Sequence, residues 1–483
     1  MNVLFAASEA VPFVKTGGLA DVIGSLPQAL AKLGADVRVM LPKYEDIPRQ
    51  WKERLEPVAV LTVRMGWREQ YCGIERLVHS GVIYYFIDNE YYFRRKGCYG
   101  YGDDAERFAY YCRAVLDALP HIGFAPDIIH CHDWQAGMIP VLYKAQYASQ
   151  PAYAGIRTVM TIHNLRYQGV FGREQLRDYF SLGDEHFSGY ALEQHGGASF
   201  LKGGLLYSDF ITTVSPSYAE EIQTPYYGEH MDSLLRSQSH RLAGIVNGID
   251  YDTFDPMNDP HIAVPYRDSL PKKRQNKLKL QELLGLPVSP DVPLIAIVSR
   301  LVDQKGMDLI GRVLPELMAL NAQWVVLGTG EPRFEHMFRD AAERYPDKLS
   351  AQILFDEALA RQVYAGSDLF LMPSLFEPCG IGQLVAMRYR SVPIVRETGG
   401  LKDTVQPFNE FTGEGTGFSF TNYNAHDMLY TVERAIGMFH NPQAWSQIMS
   451  SIRKKDFSWR QSAQAYANLY DKLLKERVPE YCT

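Results

Sequence analysis

The segment at residues 15–21, Lys-Thr-Gly-Gly-Leu-Ala-Asp, combines two adjacent glycines with a lysine and an aspartate. An apolar run at 3–7 and a periodic apolar segment at 22–33 predict a strand before it and a helix after it. Backbone N–H groups at the start of that helix can bind an anion, to which Lys15 adds a mobile positive charge. Asp21 can hold a hydroxyl or a partner cation. An ordinary tight turn explains the glycines equally well, so both interpretations stay open at this point.

Two cations, Arg300 and Lys305, share the loop that follows a predicted strand at 294–298. Fixed positive charges at the carboxyl end of a strand suit a diphosphate whose negative charge grows as a bond to it breaks. A pair of solvated surface charges is the alternative, and the position at a strand end favours the functional interpretation.

The segment at 373–383 follows another predicted strand and contains Glu377 among apolar residues and prolines. In such a fixed geometry the carboxylate can accept hydrogen bonds from sugar hydroxyls. Gly380 and Gly382 begin the next predicted helix, where free N–H groups can meet phosphate. Alternatively, Glu377 only stabilises the N-terminus of that helix.

His163 ends a predicted strand at 158–162 and is a candidate for contacting a reacting sugar, although a single histidine is more often structural. His130, His132 and Asp133 could suggest a metal site. Because no third histidine lies nearby in the sequence, we predict no metal.

Strands and helices alternate in both halves of the chain, which predicts an α/β fold with parallel sheets. Predicted strands lie at 3–7, 36–41, 58–63, 82–87, 127–131, 158–162, 210–214 and about 245, and then at 294–298, 323–327, 351–355, 368–372 and 392–395. Predicted helices include 306–320 in the second half and an amphipathic segment at 462–476. We predict three parts: a first domain at 1–245, a second at 246–456, and a helical segment at 457–483 that returns to the first domain.

The motif at 16–21 recurs at 398–403 as Thr-Gly-Gly-Leu-Lys-Asp. A two-component ligand held from both halves would need one such turn from each, although chance similarity of a glycine motif is an alternative.

The composition excludes several classes of protein. The 483 residues carry a net charge of −7, so there is no basic field for nucleic acid. No apolar run approaches the ~20 residues that span a bilayer, and no leader sequence is evident, which predicts a cytoplasmic chain. The six cysteines show no CxxC spacing, so free thiols are expected.

Taken together, these motifs occur in the order found in bacterial glycogen synthases and plant starch synthases, and the resemblance covers nearly the whole chain. It implies a GT-B fold, in which two Rossmann-like domains with parallel sheets face each other across a deep cleft. The implied reaction transfers glucose from ADP-glucose to the non-reducing-end 4-hydroxyl of an α-1,4-glucan such as glycogen, with retention of the α configuration and without a metal or other cofactor. Neither the oligomeric state nor the choice of ADP-glucose over UDP-glucose follows from the sequence beyond this resemblance.

The resemblance also implies roles for single residues. Arg300 and Lys305 would stabilise the departing ADP, Glu377 would line the glucose pocket, and His163 would lie against the anomeric carbon. Further substrate-binding positions implied by the resemblance, with acceptor or donor contacts included, are Lys15, Gly18, Asp21, Tyr99, Asp133, Trp134, Asn164, Asn247, Phe355, Cys379, Gly380, Gly382 and Thr398. Among these, Phe355 would end its strand and pack on adenine.

Two departures and two alternatives accompany the resemblance. Many retaining GT-B enzymes carry a second glutamate eight positions after the first, where this chain has Val385, and Gly382 replaces a frequent small hydroxyl residue. A glucan phosphorylase would share the architecture but requires a lysine that binds pyridoxal phosphate. A non-catalytic glucan-binding or sugar-nucleotide-binding protein would have no need for all of His163, Arg300, Lys305 and Glu377.

Overall fold

A computed structural model describes residues 1–476 of the chain. It divides into two compact units: Met1–Val214 with Glu221–Ile245 and residues 459–476, and Ser215–Glu220 with Val246–Ser458. The division after Ile245 lies beside the predicted domain limit, and the six residues at 215–220 join the second unit, which the sequence did not suggest. Which unit serves the donor and which the acceptor stays a prediction.

The first unit is built on a nine-stranded sheet with the order β12-β11-β7-β6-β1-β2-β5-β4-β3, next to a small antiparallel sheet of β8, β10 and β9. The central strand β1 is apolar and almost wholly buried, as expected of a parallel strand covered on both faces. In chain order the strands are β1 (Asn2–Ala6), β2 (Asp36–Pro42), β3 (Glu56–Met65), β4 (Arg68–His79), β5 (Val82–Asp88), β6 (Ile128–His132), β7 (Arg157–Ile162), β8 (Val170–Phe171), β9 (Glu193–Gln194), β10 (Gly197–Ser199), β11 (Phe210–Thr213) and β12 (Leu242–Gly244).

The second unit contains a six-stranded parallel sheet with the order β15-β14-β13-β16-β17-β18. Its strands are β13 (Leu294–Val298), β14 (Gln323–Leu327), β15 (Leu349–Gln352), β16 (Leu369–Met372), β17 (Val392–Arg396) and β18 (Phe418–Phe420). In each sheet the strand order reverses beside a central strand, between β1 and β6 and between β13 and β16. Open α/β sheets bind their ligands at the carboxyl ends of the strands at such a point.

The α-helices cover the faces of these sheets. In the first unit they are Gly18–Lys32, Arg49–Lys52, Glu90–Phe93, Asp104–Ala118, Met138–Leu142, Arg173–Phe180, Phe200–Tyr207, Asp232–Ser237 and Trp459–Lys475. Those that lie mainly in the second unit are Pro216–Glu221, Leu270–Leu283, Met307–Arg312, Leu314–Ala319, Pro332–Arg344, Glu357–Gly366, Gly382–Arg388, Gly399–Thr404, Ala425–Phe439 and Pro442–Arg453.

The local predictions differ from the structure in four places. The structure has an unpredicted strand, β4, whose exposed and buried residues give no clear alternation. The predicted helix at 306–320 is two helices, because Pro315 lacks the N–H needed to continue the first one. The strand predicted at 351–355 is β15, which ends at Gln352, and the strand predicted at about 245 is β12, at Leu242–Gly244.

The last described helix, Trp459–Lys475, packs in the first unit. The hydroxyl of Tyr470 lies 2.6 Å from Nδ1 of His130, which is itself fully buried on β6. The end of the predicted 457–483 segment, including Cys482, lies outside the described residues. Within residues 1–476 the five cysteines are free and buried, and no helix has both the length and the apolarity to cross a bilayer.

Candidate functional site

The glycine segment after β1 forms the predicted strand–turn–helix. Gly17 caps the helix Gly18–Lys32 without a side-chain hydrogen bond, and the space where its side chain would lie is open to 4 Å. Gly18 is exposed at the helix start. The ammonium of Lys15 lies 2.7 Å from a carboxylate oxygen of Asp21, and both side chains reach solvent. The start of the helix is therefore uncovered around Gly17 and Gly18, with a partly neutralised lysine beside it.

A buried carboxylate that the sequence analysis missed supports this turn. Glu9 is 3% exposed, and it accepts hydrogen bonds from both the backbone N–H and the hydroxyl of Thr16. Burial raises the pKa of Glu9, and the bonds from Thr16 and Gly17 oppose that effect. Its place three residues after a buried strand was the one signal that could have identified it.

His163, half-buried just after β7, lies next to the fully buried His132 of β6. Its Nε2 is 2.9 Å from Nδ1 of His132, and its backbone N–H donates to Asp133 at 2.7 Å. Burial lowers the pKa of His163 to about 3 and raises the pKa of Asp133 to about 7. The imidazole of His163 is therefore neutral near pH 7, so it can exchange hydrogen bonds with a sugar but cannot supply a positive charge.

The other first-unit residues differ in how accessible they are. Trp134 is only 9% exposed, because its ring packs on Phe108, Phe171 and Phe200. The main contribution of Trp134 in this structure is packing, and its predicted sugar contact stays a prediction.

Tyr99 and Asn164 each form a hydrogen bond within the first unit. The hydroxyl of Tyr99 is 2.7 Å from that of Ser8, and the side-chain oxygen of Asn164 accepts the N–H of Arg166.

Three neutral histidines, of which two are fully buried, predict a pH-dependent stability. The pKa values of His130, His132 and His163 lie below the ordinary value of 6.5 because burial disfavours the charged ring. The unfolded chain therefore binds protons first as pH falls, and stability that is full above pH 6.5 is lost between pH 6.5 and about 3. We expect the thermal midpoint of the wild-type protein to be lower at pH 5 than at pH 7. The difference should be smaller in His163→Asn and the same as in wild type in the control His440→Asn, whose residue is exposed. Equal falls in all three proteins, followed by circular dichroism, would contradict this assignment.

Lys305 and Glu377 meet in the second unit, at the ends of β13 and β16. The Lys305 ammonium lies 2.5 Å from Oε2 of Glu377, and the Ser374 hydroxyl donates to the same oxygen at 3.0 Å. Their side chains are 17% and 8% exposed. This is an ion pair held within reach of a ligand, in the place where the strand order reverses.

Arg300 lies on the same loop as Lys305 but in a different environment. The residue is exposed, and its guanidinium forms no ion pair with any residue between 1 and 476. An exposed arginine that has no ion-pair partner within residues 1–476, on the same loop as a lysine paired with a glutamate, is suited to binding an anion that arrives from solvent.

The second diglycine turn does not resemble the first in its surroundings. A Cβ on Gly399 would lie 2.0 Å from the Glu377 carbonyl oxygen, and one on Gly400 would lie 2.1 Å from that of Cys379. The Gly400 N–H also donates to the Glu377 carbonyl at 3.1 Å. Close approach therefore requires glycine at both positions, and Thr398, which is fully buried, begins a helix that supports the Glu377 segment.

Asn247 contacts Cys379, which lies two residues after Glu377 in the same segment. Burial raises the pKa of Cys379 to about 12, so its sulfur is a thiol and not a nucleophilic thiolate at neutral pH, and the Asn247 backbone N–H donates to it. The side-chain oxygen of Asn247 is buried without a hydrogen-bond partner in the described part of the chain. A buried amide oxygen requires a donor, and a sugar hydroxyl would provide one.

Gly380 precedes the helix Gly382–Arg388, and Gly382 begins it at a place where a Cβ would lie 3.3 Å from the Phe370 ring. Phe355 does not end β15 as predicted; it lies in the loop before the helix Glu357–Gly366 and is 86% exposed. An aromatic ring this exposed is available for stacking.

The structure thus brings the candidates together within each unit. In the second unit, Lys305 contacts Glu377, and Asn247 contacts Cys379 of the same segment. In the first unit, Lys15 contacts Asp21, and Asp133 contacts His163. No group of three or more histidine, cysteine, aspartate or glutamate side chains in residues 1–476 has a geometry that could hold a metal ion.

Family models of known proteins match both units of the chain. The family model of the starch synthase catalytic domain matches residues 2–237, and that of glycosyl transferases group 1 matches residues 286–447. The glycogen synthase of Desulforamulus reducens is 58% identical over 475 residues, covering 98% of this chain and 99% of that protein. The glycogen synthase of Anoxybacillus flavithermus is 57% identical, with 98% of each chain covered.

Solved structures agree with this assignment. The catalytic domain of starch synthase IV from Arabidopsis thaliana, bound to ADP and acarbose, has a TM-score of 0.91 and 33% identity, and the match covers 98% of this chain and 99% of that one. A sucrose-phosphate synthase from Thermosynechococcus elongatus, with a TM-score of 0.61 and 16% identity, shares the fold. The predicted GT-B class with two Rossmann-like domains is confirmed. The chain belongs to the glycogen synthase family of glycosyltransferases.

Proposed function

We propose that the chain transfers glucose from ADP-glucose to the non-reducing-end 4-hydroxyl of an α-1,4-glucan, releasing ADP and retaining the α configuration. The observation that carries this proposal is the Lys305–Glu377 ion pair beside the uncommitted Arg300, in a chain that matches glycogen synthases over 98% of its length. The starch synthase structure that contains ADP supports ADP as the nucleotide released.

In this mechanism the second unit binds the donor. Lys305 and Arg300 contact the diphosphate, where they stabilise the negative charge that grows as the bond from glucose C1 to the phosphate oxygen breaks. Glu377 holds Lys305 in place and accepts hydrogen bonds from glucose hydroxyls. Asn247 donates or accepts at the same sugar.

Retention then follows a front-face course. Position 385 is valine, so no second carboxylate is offered there for a covalent glucosyl intermediate. The departing phosphate takes the proton of the acceptor 4-hydroxyl, and the acceptor oxygen bonds to C1 on the face that ADP leaves. In the first unit, the neutral His163 offers hydrogen bonds to a sugar, and Lys15 with the start of the helix at Gly18 offers a site for phosphate.

The donor comparison tests this function. ADP-glucose and UDP-glucose are offered with glycogen primer, and the released nucleotide is measured. We expect primer-dependent release of ADP at a rate well above that of UDP. Equal release from both donors would contradict the donor assignment, and release that does not depend on primer would contradict transfer to a glucan.

The exposed ring of Phe355 gives a separate prediction for the nucleotide base. If adenine stacks on it, Phe355→Ala should raise KM for ADP-glucose about 10-fold, in line with about 1–3 kcal/mol for one stacked base, and leave kcat nearly unchanged. Phe411, which is fully exposed in the same unit, offers the control Phe411→Ala. An unchanged KM in Phe355→Ala would exclude this stacking.

The proposed chemistry uses no metal. We therefore expect initial rates of ADP release in excess EDTA to stay within about 2-fold of the rates with added Mg²⁺, since the charge on the leaving group is met by Lys305 and Arg300. A large loss in EDTA that Mg²⁺ restores would contradict this part of the mechanism. A cytoplasmic location, and the absence of nucleic-acid and membrane partners, stay predictions.

A further inference from the structure

Glu9 is a buried acid with no ion-pair partner in the described part of the chain. Its carboxylate is instead committed to the glycine turn: one oxygen accepts the Thr16 N–H, and the other accepts the Thr16 hydroxyl at 3.0 Å. The Gly17 N–H and the Tyr99 hydroxyl also bond to it. Burying a carboxylate is costly unless hydrogen bonds compensate, so these bonds tie the acid and the turn to each other.

Backbone hydrogen bonds hold the loop before the turn, where the Val11 N–H donates to Ala20 and Ala10 pairs with Val14, but the two glycines have few contacts of their own. Gly17 caps the helix without a side-chain hydrogen bond, Gly18 is exposed, and among residues 1–476 Lys15 forms an ion pair only with Asp21. Two adjacent glycines also have more backbone freedom than any other pair of residues. A fixed partner at Thr16 therefore determines where the N–H groups of the turn point.

We propose that Glu9 is a positioning residue for the transfer reaction: it binds the N–H groups of Thr16 and Gly17, and so fixes Lys15 and the start of the helix at Gly18 for binding phosphate. This inference rests on the proposed function. We assign Glu9 a positioning role because its carboxylate is buried and its hydrogen bonds come from the turn and from Tyr99.

Two substitutions of Glu9 distinguish its hydrogen bonds to Thr16 from the effect of its negative charge. In Glu9→Gln the amide oxygen can accept the Thr16 N–H while the amide NH₂ donates to the Thr16 hydroxyl, so both contacts survive without the charge. In Glu9→Ala both are lost. Positioning therefore predicts that glutamine rescues the function and alanine does not.

A matched control lies at the other end of β1. The carboxylate of Asp127 accepts the N–H of Asn2 at 2.7 Å, so Asp127→Ala also removes a carboxylate-to-backbone bond on this strand, but far along the chain from the turn. It should lower the thermal midpoint without changing KM for ADP-glucose.

The test uses the full chain and two measurements. We expect KM for ADP-glucose to rise about 10-fold in Glu9→Ala, in line with the cost of misplacing a binding group, and to stay within about 2-fold of wild type in Glu9→Gln and Asp127→Ala. Hydrogen exchange should accelerate at the amides of residues 16 and 17 in Glu9→Ala only. An unchanged KM in Glu9→Ala, or a KM in Glu9→Gln as high as in Glu9→Ala, would overturn the proposal.

The two measurements separate this inference from the proposed function. If wild type releases no ADP from ADP-glucose, the proposed function fails, and exchange at residues 16 and 17 still reports whether Glu9 holds the turn. If wild type is active and exchange in Glu9→Ala is unchanged, the positioning role alone fails.

Discussion

Lys305→Ala is expected to lower kcat/KM for ADP-glucose about 10²–10³-fold, the range seen when one group that stabilises developing charge is removed. The physical reason is the position of its ammonium, half-buried at the end of β13 and held 2.5 Å from Glu377. Because the charge on the diphosphate grows only as the glycosidic bond breaks, most of the loss should appear in kcat and less in KM. Steady-state rates of ADP release measure both.

The Lys305→Ala variant needs a control for stability, since it leaves the buried Glu377 carboxylate without its cation. The double variant Lys305→Ala/Glu377→Ala removes both charges, so it should recover part of the lost thermal stability and still be inactive. Lys348→Ala removes a half-buried lysine next to β15, whose ammonium donates to the Leu320 carbonyl, and should keep normal kcat. Near-normal turnover in Lys305→Ala would exclude the proposed role.

Glu377→Ala is expected to cause a loss of similar size, about 10²–10³-fold in kcat/KM, for a different reason. This side chain orients Lys305 and is the carboxylate that we propose accepts hydrogen bonds from glucose, so its removal affects both the cation and the sugar. Ser374, which donates to the same oxygen at 3.0 Å, also loses its acceptor.

Glu377→Gln separates the two contributions. The amide keeps a hydrogen-bond acceptor for the sugar but cannot neutralise Lys305, so we expect activity between that of wild type and Glu377→Ala. Circular dichroism and the thermal midpoint show whether each variant is folded. If folded Glu377→Ala keeps more than about a tenth of wild-type kcat/KM, the site assignment in the second unit is wrong.

The parts of the site that could be predicted from sequence are those that follow from strand ends. Buried apolar strands were identifiable by composition, and the residues just after them, such as Arg300, Glu377 and His163, lie where parallel sheets present their ligands. The glycine turn at 15–21 was predictable for the same reason, because a strand, two glycines and an amphipathic segment specify one local geometry.

The parts that could not be predicted depend on contacts distant in sequence. Nothing in the local pattern shows that Lys305 pairs with Glu377, 72 residues away, or that Glu9 reaches Thr16 across the turn. The similar diglycine motifs also gave no sign that Gly17 lies in open space while Gly399 lies against the Glu377 backbone. Phe355 was placed at a strand end because the apolar run continues past Gln352, where sheet pairing stops.

The central claim is that this chain forms an α-1,4 bond at the end of a glucan. Its most direct test is to incubate the protein with ADP-glucose and a short maltooligosaccharide and to examine the product by proton NMR, with ADP measured in the same sample. We predict one new α-1,4-linked glucose at the non-reducing end for each ADP released. A β-linked product, or ADP release accompanied only by free glucose, would contradict the account.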